Sequence, residues 1–274
     1  MGENGNCVHQ LYNCVMAIAH HTVARTVATL GVDFVWIDAL HSSIDADNLF
    51  ALIQPVNFPG HGKTVAVVRV PSEHSHLLRH ALDAGADGII IPRVKSAEQA
   101  AEAVRKCRYA CLGGERSLSQ FALVPGVTDG APPGLSAERV VDQHIVLICQ
   151  IEVVVFENVE DIARTAGVNA LMVGPGDLRL SFGVPSKQLN GQDAPCYEEA
   201  IRHIAAISHR YRKPLFNVVT KMSSSSLKVA MLHRSGLLVT GVDLWSTVND
   251  PRRGLEEAKS IKKRPKNSIF SNKI

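Results

Sequence analysis

Short runs rich in Val, Ile, Leu and Ala alternate along this chain with longer stretches of helical, three-to-four-residue apolar period. The short runs suit strands buried on both faces; the longer ones suit amphipathic helices. Strands are expected at 14–19, 33–38, 64–70, 88–94, 144–152, 170–173, 214–219 and 237–242. Helices are expected at 22–30, 46–54, 73–84, 97–108, 159–166, 197–212, 227–233 and 253–262. Ser96 with Gln99 three residues on is a capping box, and Gly85 ends the helix before it. Strand–helix alternation predicts a parallel sheet wrapped in helices. A (β/α)8 TIM barrel uses all eight units and has no sheet edge. A doubly wound open sheet would have two edges, and no candidate strand is blunted for that position. A loop over 109–143 and an insert between the sixth strand and 197 fall outside the alternation, and loops of such length are usually functional or mobile.

The length, 274 residues, fits one barrel domain, typically about 250 residues. No break in composition marks a second domain, and a flexible tail is expected from about 263. The net charge of +3 comes from acids and bases mixed along the chain rather than a basic stripe, which argues against nucleic acid as a partner. The one basic run, Lys262-Lys263-Arg264-Pro265-Lys266, reads as a solvated tail sooner than an import signal. No apolar run approaches the roughly 20 residues that span a bilayer, and the N-terminal segment lacks the order of a signal peptide. The six cysteines form no CxxC pair, as expected of reduced thiols in a cytoplasmic protein.

Barrel enzymes carry their sites at the C-terminal ends of the strands. Polar residues cluster there in this chain: Asp38 and His41, Arg69, Pro92-Arg93, Gln150 and Glu152, Gly174-Pro175-Gly176-Asp177, Asn217 and Asp243. Polar groups in buried strands are costly unless paired. Glu152 and Asp177, from adjacent strands, can meet at the barrel mouth, where hard oxygen ligands suit Mg²⁺ or Mn²⁺ better than Zn²⁺. A small 2-oxo acid can chelate such an ion, with its enolate stabilised there. Glycine at 176 lets backbone amides approach the substrate carboxylate, and Arg69 can brace the developing oxyanion. The alternative is that both carboxylates are structural. On the same reasoning Asp38 is an orienting group rather than a ligand.

The stretches GVDFVWIDALH (31–41), VVRVP (67–71), ALDAGADGIIIPRV (81–94), GERS (114–117), QIE (150–152) and GPGDL (174–178) together resemble the class II, pyruvate-dependent aldolases of the HpcH/HpaI family, over roughly 17–258. Within that family the likeness is greatest to macrophomate synthase and its fungal relatives. The resemblance implies a metal held by Glu152 and Asp177, Mg²⁺ foremost with Mn²⁺ or Co²⁺ as alternatives. It implies that Arg69 contacts the keto or enolate oxygen, and that Gln150 with the backbone of Gly174, Pro175, Gly176 and Asp177 holds pyruvate or oxaloacetate. His41 would act as general base or acid on the aldol hydroxyl. Asp83 would tune it from a neighbouring subunit, in a homo-oligomer (trimer or hexamer) that exchanges its last helices.

Three departures stand out: Leu40 where the family has Glu, Ala110-Cys111-Leu112-Gly113 in place of a Pro-Pro-x-Gly stretch, and Lys221 near the seventh strand. The metal motif is untouched by them. The function expected is metal-dependent cleavage of a 4-hydroxy-2-oxo acid through a pyruvate enolate. Alternatives are oxaloacetate decarboxylation in the manner of macrophomate synthase, and a catalytically silent 2-oxo-acid binder. Lys221 raises a Schiff-base alternative, set against its place beside four serines. His76 and His80 have the i, i+4 spacing of a zinc pair but lack an HExxH glutamate, and a solvent-facing pair is the simpler reading. Gly113-Gly114 has no Lys-Ser/Thr of a P-loop after it.

Overall fold

A computed structural model describes residues 9–57, 63–119, 131–153, 158–186, 192–218 and 234–262. The strands are β1 (Leu11–Met16), β2 (Phe34–Asp38), β3 (Val65–Arg69), β4 (Gly88–Ile91), β5 (Val146–Ile151), β6 (Ala170–Val173), β7 (Leu215–Asn217) and β8 (Ser235–Val242). They form a closed barrel in sequence order, parallel throughout. The TIM-barrel expectation therefore holds, and the open-sheet rival is excluded by the β1–β8 pairing. Described helices include α1 (His21–Ala28), α2 (Ala46–Asn57), α3 (His76–Asp83), α4 (Ala97–Cys107), α5 (Ala137–His144), α6 (Val159–Arg164), α7 (Pro175–Ser181), α8 (Pro195–Arg210) and α9 (Asp243–Lys262).

Strand side chains alternate between two apolar layers. Phe34, Trp36, Val67, Ile90, Ile148, Met172 and Phe216 fill the inside of the barrel. Val35, Ile37, Val68, Ile89, Leu147, Cys149 and Leu171 point outward against the helices. Burial on both faces is why these strands read as unbroken apolar runs. Ser96 caps α4 as expected: its Oγ accepts from the Gln99 N–H, and the Gln99 side chain in return accepts from the Lys95 N–H.

Element ends shift by a few residues throughout, and four differences from the sequence reading stand out. β1 ends at Met16 because the N–H groups of Ala17 and Ile18 donate to the Asp243 carboxylate instead of a neighbouring strand. α5 lies inside the stretch read as loop; Ser136 Oγ caps it by accepting from the Arg139 N–H. α7 lies inside the second insert, opened by Pro175 in its first turn. α9 starts ten residues earlier than expected and continues through Pro251. The expected helix at 227–233, Lys221 and the tail from 263 lie outside the described residues.

The described cysteines Cys14, Cys107, Cys111, Cys149 and Cys196 are free thiols. Burial pushes Cys14 up to about 11 and Cys107 and Cys149 up to about 12, so these three stay protonated and inert. No described helix is long and apolar enough to cross a membrane.

Candidate active site

The strand register sets which side chains share a level inside the barrel. Phe34 pairs with Val65, Trp36 with Val67 and Asp38 with Arg69. Because side chains alternate, the inward series on β2 is Phe34, Trp36, Asp38, and on β3 it is Val65, Val67, Arg69. Gln150 and Glu152 continue the inward series of β5 above Ile148. On these three strands the lower levels are thus apolar and the uppermost is polar. Asp38, Arg69, Gln150 and Glu152 are all buried there, so each needs a partner.

The partners form one chain of contacts. Arg69 Nε and Nη2 donate to the two carboxylate oxygens of Asp38 at 2.8 and 2.6 Å. This bidentate fork fixes the guanidinium plane, which lies 4.7 Å from the centre of the Trp36 ring. Arg69 Nη1 reaches Gln150 Oε1 at 3.4 Å, and Gln150 Nε2 donates to Glu152 Oε2 at 2.9 Å. With its oxygen facing Arg69, the Gln150 amide turns its NH₂ toward Glu152. Asp38 also accepts from the Leu40 N–H at 3.2 Å, which ties the turn carrying His41 to the same network. Asp38 is the orienting group the sequence suggested.

Glu152 is 2% exposed, and its carboxyl is pushed up to about 7, first by burial and then by the nearby charge of Asp177. The charges of Arg69 and Arg93, and a hydrogen bond with the Arg93 backbone, pull the other way. Arg93 holds a left-handed φ of 54°, a conformation that costs a non-glycine residue on the order of 1 kcal/mol. That local strain sits where the backbone meets the carboxylate of Glu152.

Asp177 stands in the first turn of α7, with Gly174 as the preceding cap residue. A Cβ at Gly174 would lie 2.5 Å from Glu152 Oε2 and 2.8 Å from Gln150 Nε2. Glycine is therefore required for β6 to pass this close to the two side chains. Gly174→Ala is expected to displace Glu152 and to weaken divalent-metal binding at least about tenfold, with the fold retained. Calorimetric titration with Mn²⁺ alongside circular dichroism checks both parts.

The donor set fits a hard divalent ion. Glu152 is buried at the mouth, and the charge of Asp177, exposed in the first turn of α7, raises the cost of ionising it. A cation between them removes that cost, and carboxylate oxygens are the ligands Mg²⁺ and Mn²⁺ take.

The structure brings together Arg69, Gln150, Glu152, Gly174 and Asp177, with Pro175 and Gly176 beginning α7 beside them. His41 is exposed on the turn after β2, at the same end of the barrel. Asp83 does not join them within one chain. It ends α3, on the return path toward the opposite face, and its carboxylate accepts from Arg116 at 3.3 Å. Asp243 is structural: it closes β8 onto the segment after β1. Sequence reasoning missed Trp36 as the platform under Arg69 and the backbone of Arg93. The two-residue alternation that places Trp36 and Asp38 on one face was the available signal for the first.

The sequence model described as HpcH/HpaI aldolase/citrate lyase matches residues 12–222. Among characterised relatives, the hydroxypyruvate/pyruvate aldolase of Paraburkholderia phytofirmans is 34% identical over 179 residues, 63% of this chain and 66% of that protein. The match thus spans just under two thirds of that relative's length. The 5-keto-4-deoxy-D-glucarate aldolase of Klebsiella pneumoniae subsp. pneumoniae is 31% identical over 208 residues, 75% of this chain and 77% of that protein. Among solved structures, that of macrophomate synthase superposes with a TM-score of 0.83 at 28% identity, covering 93% of this chain and 85% of that one.

Proposed function

Because the chain belongs to the HpcH/HpaI aldolase/citrate lyase family, we propose that it is a divalent-metal-dependent carbon–carbon lyase, cleaving a 4-hydroxy-2-oxo acid to pyruvate and an aldehyde or running that aldol reaction in reverse. The observation that carries this reading is the buried Glu152 carboxylate, electrostatically coupled to Asp177 at the barrel mouth. Glu152 and Asp177 would hold the ion, Mg²⁺ foremost. When bound, the ion supplies Lewis-acid stabilisation of an enolate.

The remaining work falls to the chain's own groups. Gln150 and the backbone amides at the start of α7 position the 2-oxo acid. Arg69 has five N–H donors, and the fork to Asp38 and the contact with Gln150 leave part of that set for a substrate oxygen. Locked by Asp38 and Trp36, it faces that oxygen without reorganising. His41 accepts the 4-hydroxyl proton, the C3–C4 bond breaks, and the aldehyde leaves. The bond's electron pair remains on the three-carbon fragment, which takes a proton at C3 to become pyruvate.

Exhaustive chelation is expected to reduce turnover of 4-hydroxy-2-oxo acids to background, with recovery on adding Mg²⁺ or Mn²⁺. A chain fully active under chelation contradicts the reading.

A second reading rests on Leu40, an apolar neighbour where the family carries Glu, and on the likeness to macrophomate synthase. Decarboxylation of oxaloacetate generates the same enolate and needs no hydroxyl base. His41→Ala should then suppress aldol cleavage while sparing decarboxylation, which parallel assays of the two substrates resolve.

The working unit we propose is a cytoplasmic homo-oligomer, a trimer or hexamer. α9 supports it: Leu244, Trp245, Val248 and Leu255 are 52%, 48%, 49% and 54% exposed, an apolar face left open to water in one chain. A second copy covering this face is expected to bring a partner's Asp83 toward His41. Trp245→Ser with Val248→Asp should lower the mass in light scattering to that of one chain.

A further inference from the structure

Outside the barrel mouth, three further donors converge. Glu73 and His74 belong to the turn between β3 and α3, and Glu102 lies on the neighbouring α4. One ligand atom from each falls within 4.8 Å of the others. His74 Nε2 stands 3.7 Å from Glu73 Oε1, and His74 Nδ1 stands 3.8 Å from Glu102 Oε1. Both separations exceed hydrogen-bond length, so the imidazole sits between two carboxylates without bonding to either.

Glu73 makes this more than a surface cluster. It is 7% exposed, and among the described residues its one ion-pair neighbour is His74. Little water reaches this carboxylate, so a cation beside it would offset the cost of its charge. Glu73 and His74 also line a cavity of about 250 Å³ between α3 and α4, which gives a solute access. Three cationic groups line the same wall: Lys106 pairs with Glu115 at 3.0 Å, Arg116 with Asp83 at 3.3 Å, and Arg79 of α3 makes no ion pair among the described residues, Glu73 included.

We propose that Glu73, His74 and Glu102 form a second metal site, selective for a borderline divalent ion of the Zn²⁺ or Co²⁺ type, which ties the β3–α3 turn to α4. One imidazole nitrogen and two carboxylate oxygens suit such ions, whereas Mg²⁺ prefers oxygen alone. Three protein ligands leave a position open for water. The site differs from the barrel mouth in donors and in metal preference, and it does not depend on the reading of that mouth.

Co²⁺ titration of the full chain tests this, followed by calorimetry and visible absorption in saturating Mg²⁺, and repeated on Glu152→Gln. One Mg²⁺-resistant equivalent is expected in both proteins, with d–d bands and no thiolate charge-transfer band. His74→Ala and Glu102→Gln should each weaken it at least tenfold, and His76→Ala should leave it unchanged. Without metal, His74→Ala should melt at the midpoint of the parent, because His74 is exposed. Added Co²⁺ should raise the parent's midpoint but not that of the variant. Absence of a Mg²⁺-resistant equivalent, its survival in both His74→Ala and Glu102→Gln, or a thiolate band would overturn the proposal.

Discussion

Glu152→Gln is expected to lower carbon–carbon bond cleavage at least about a thousandfold while leaving the fold intact. Glutamine preserves the shape of the side chain but supplies no anionic ligand. The stability of the metal-free protein should move the opposite way. The carboxyl of Glu152 is raised from 4.5 to about 7, so the folded state holds this proton more tightly than the unfolded chain does. Stability in the metal-free parent therefore falls as pH rises from about 4.5 to about 7, and the penalty stays in full at higher pH. Glu152→Gln removes the ionisation. Its melting midpoint relative to the parent should climb across that window and then level off. Metal binding to the parent should correspondingly weaken as pH drops below about 7, as a proton competes for the ligand. Melting curves from pH 4 to 9, with and without Mg²⁺, and activity at a fixed pH check these outcomes. A variant that keeps turnover refutes the ligand role. A midpoint difference flat across pH refutes the electrostatic one.

Arg69→Ala is the second substitution expected to have a large effect, and for two separable reasons. It strips the substrate oxygen of a preorganised donor, which should cost about 10²–10³ in kcat. It also leaves Asp38 buried without its bidentate partner, which should destabilise the fold by about 3–5 kcal/mol. Arg69→Lys keeps the charge but not the fork, so it should recover part of the stability and little of the rate. Replacing the pair together, Asp38→Asn with Arg69→Met, removes both buried charges. It should restore most of the stability and none of the activity. Urea melts and steady-state kinetics on the four proteins separate the two contributions. A double variant as unstable as Arg69→Ala alone would show that the pair is not what holds this region together.

The sequence was most informative where one period ruled a whole segment. Strands such as 34–38 and 147–151 are buried on both faces, so every position is apolar until the last inward ones, and the change to Asp38, Arg69, Gln150 and Glu152 marks the barrel mouth directly. Element ends were less legible because they are set by distant partners. β1 stops where the Asp243 side chain, over two hundred residues away, captures the N–H groups of Ala17 and Ile18. α7 is a helix of seven residues, about two turns, opened by Pro175 and too brief for a periodic signal. α9 runs through Pro251, which local propensity reads as a break. The Asp38–Arg69 fork was not predicted either. Both residues were visible, but their opposition depends on the register between β2 and β3, which one sequence does not specify. Asp83 is the reverse case. The resemblance assigned it to a neighbouring subunit, and a single chain places it on the far end of α3, paired with Arg116.

All of the proposed chemistry depends on one ion lodged between Glu152 and Asp177. Crystals soaked with Mn²⁺ and pyruvate, measured for anomalous scattering, examine that directly. The account predicts a strong peak at Glu152 and Asp177, with pyruvate bound beside it and Arg69 against the keto oxygen. Pyruvate bound with no peak at the mouth, or manganese found only away from these two side chains, would contradict it.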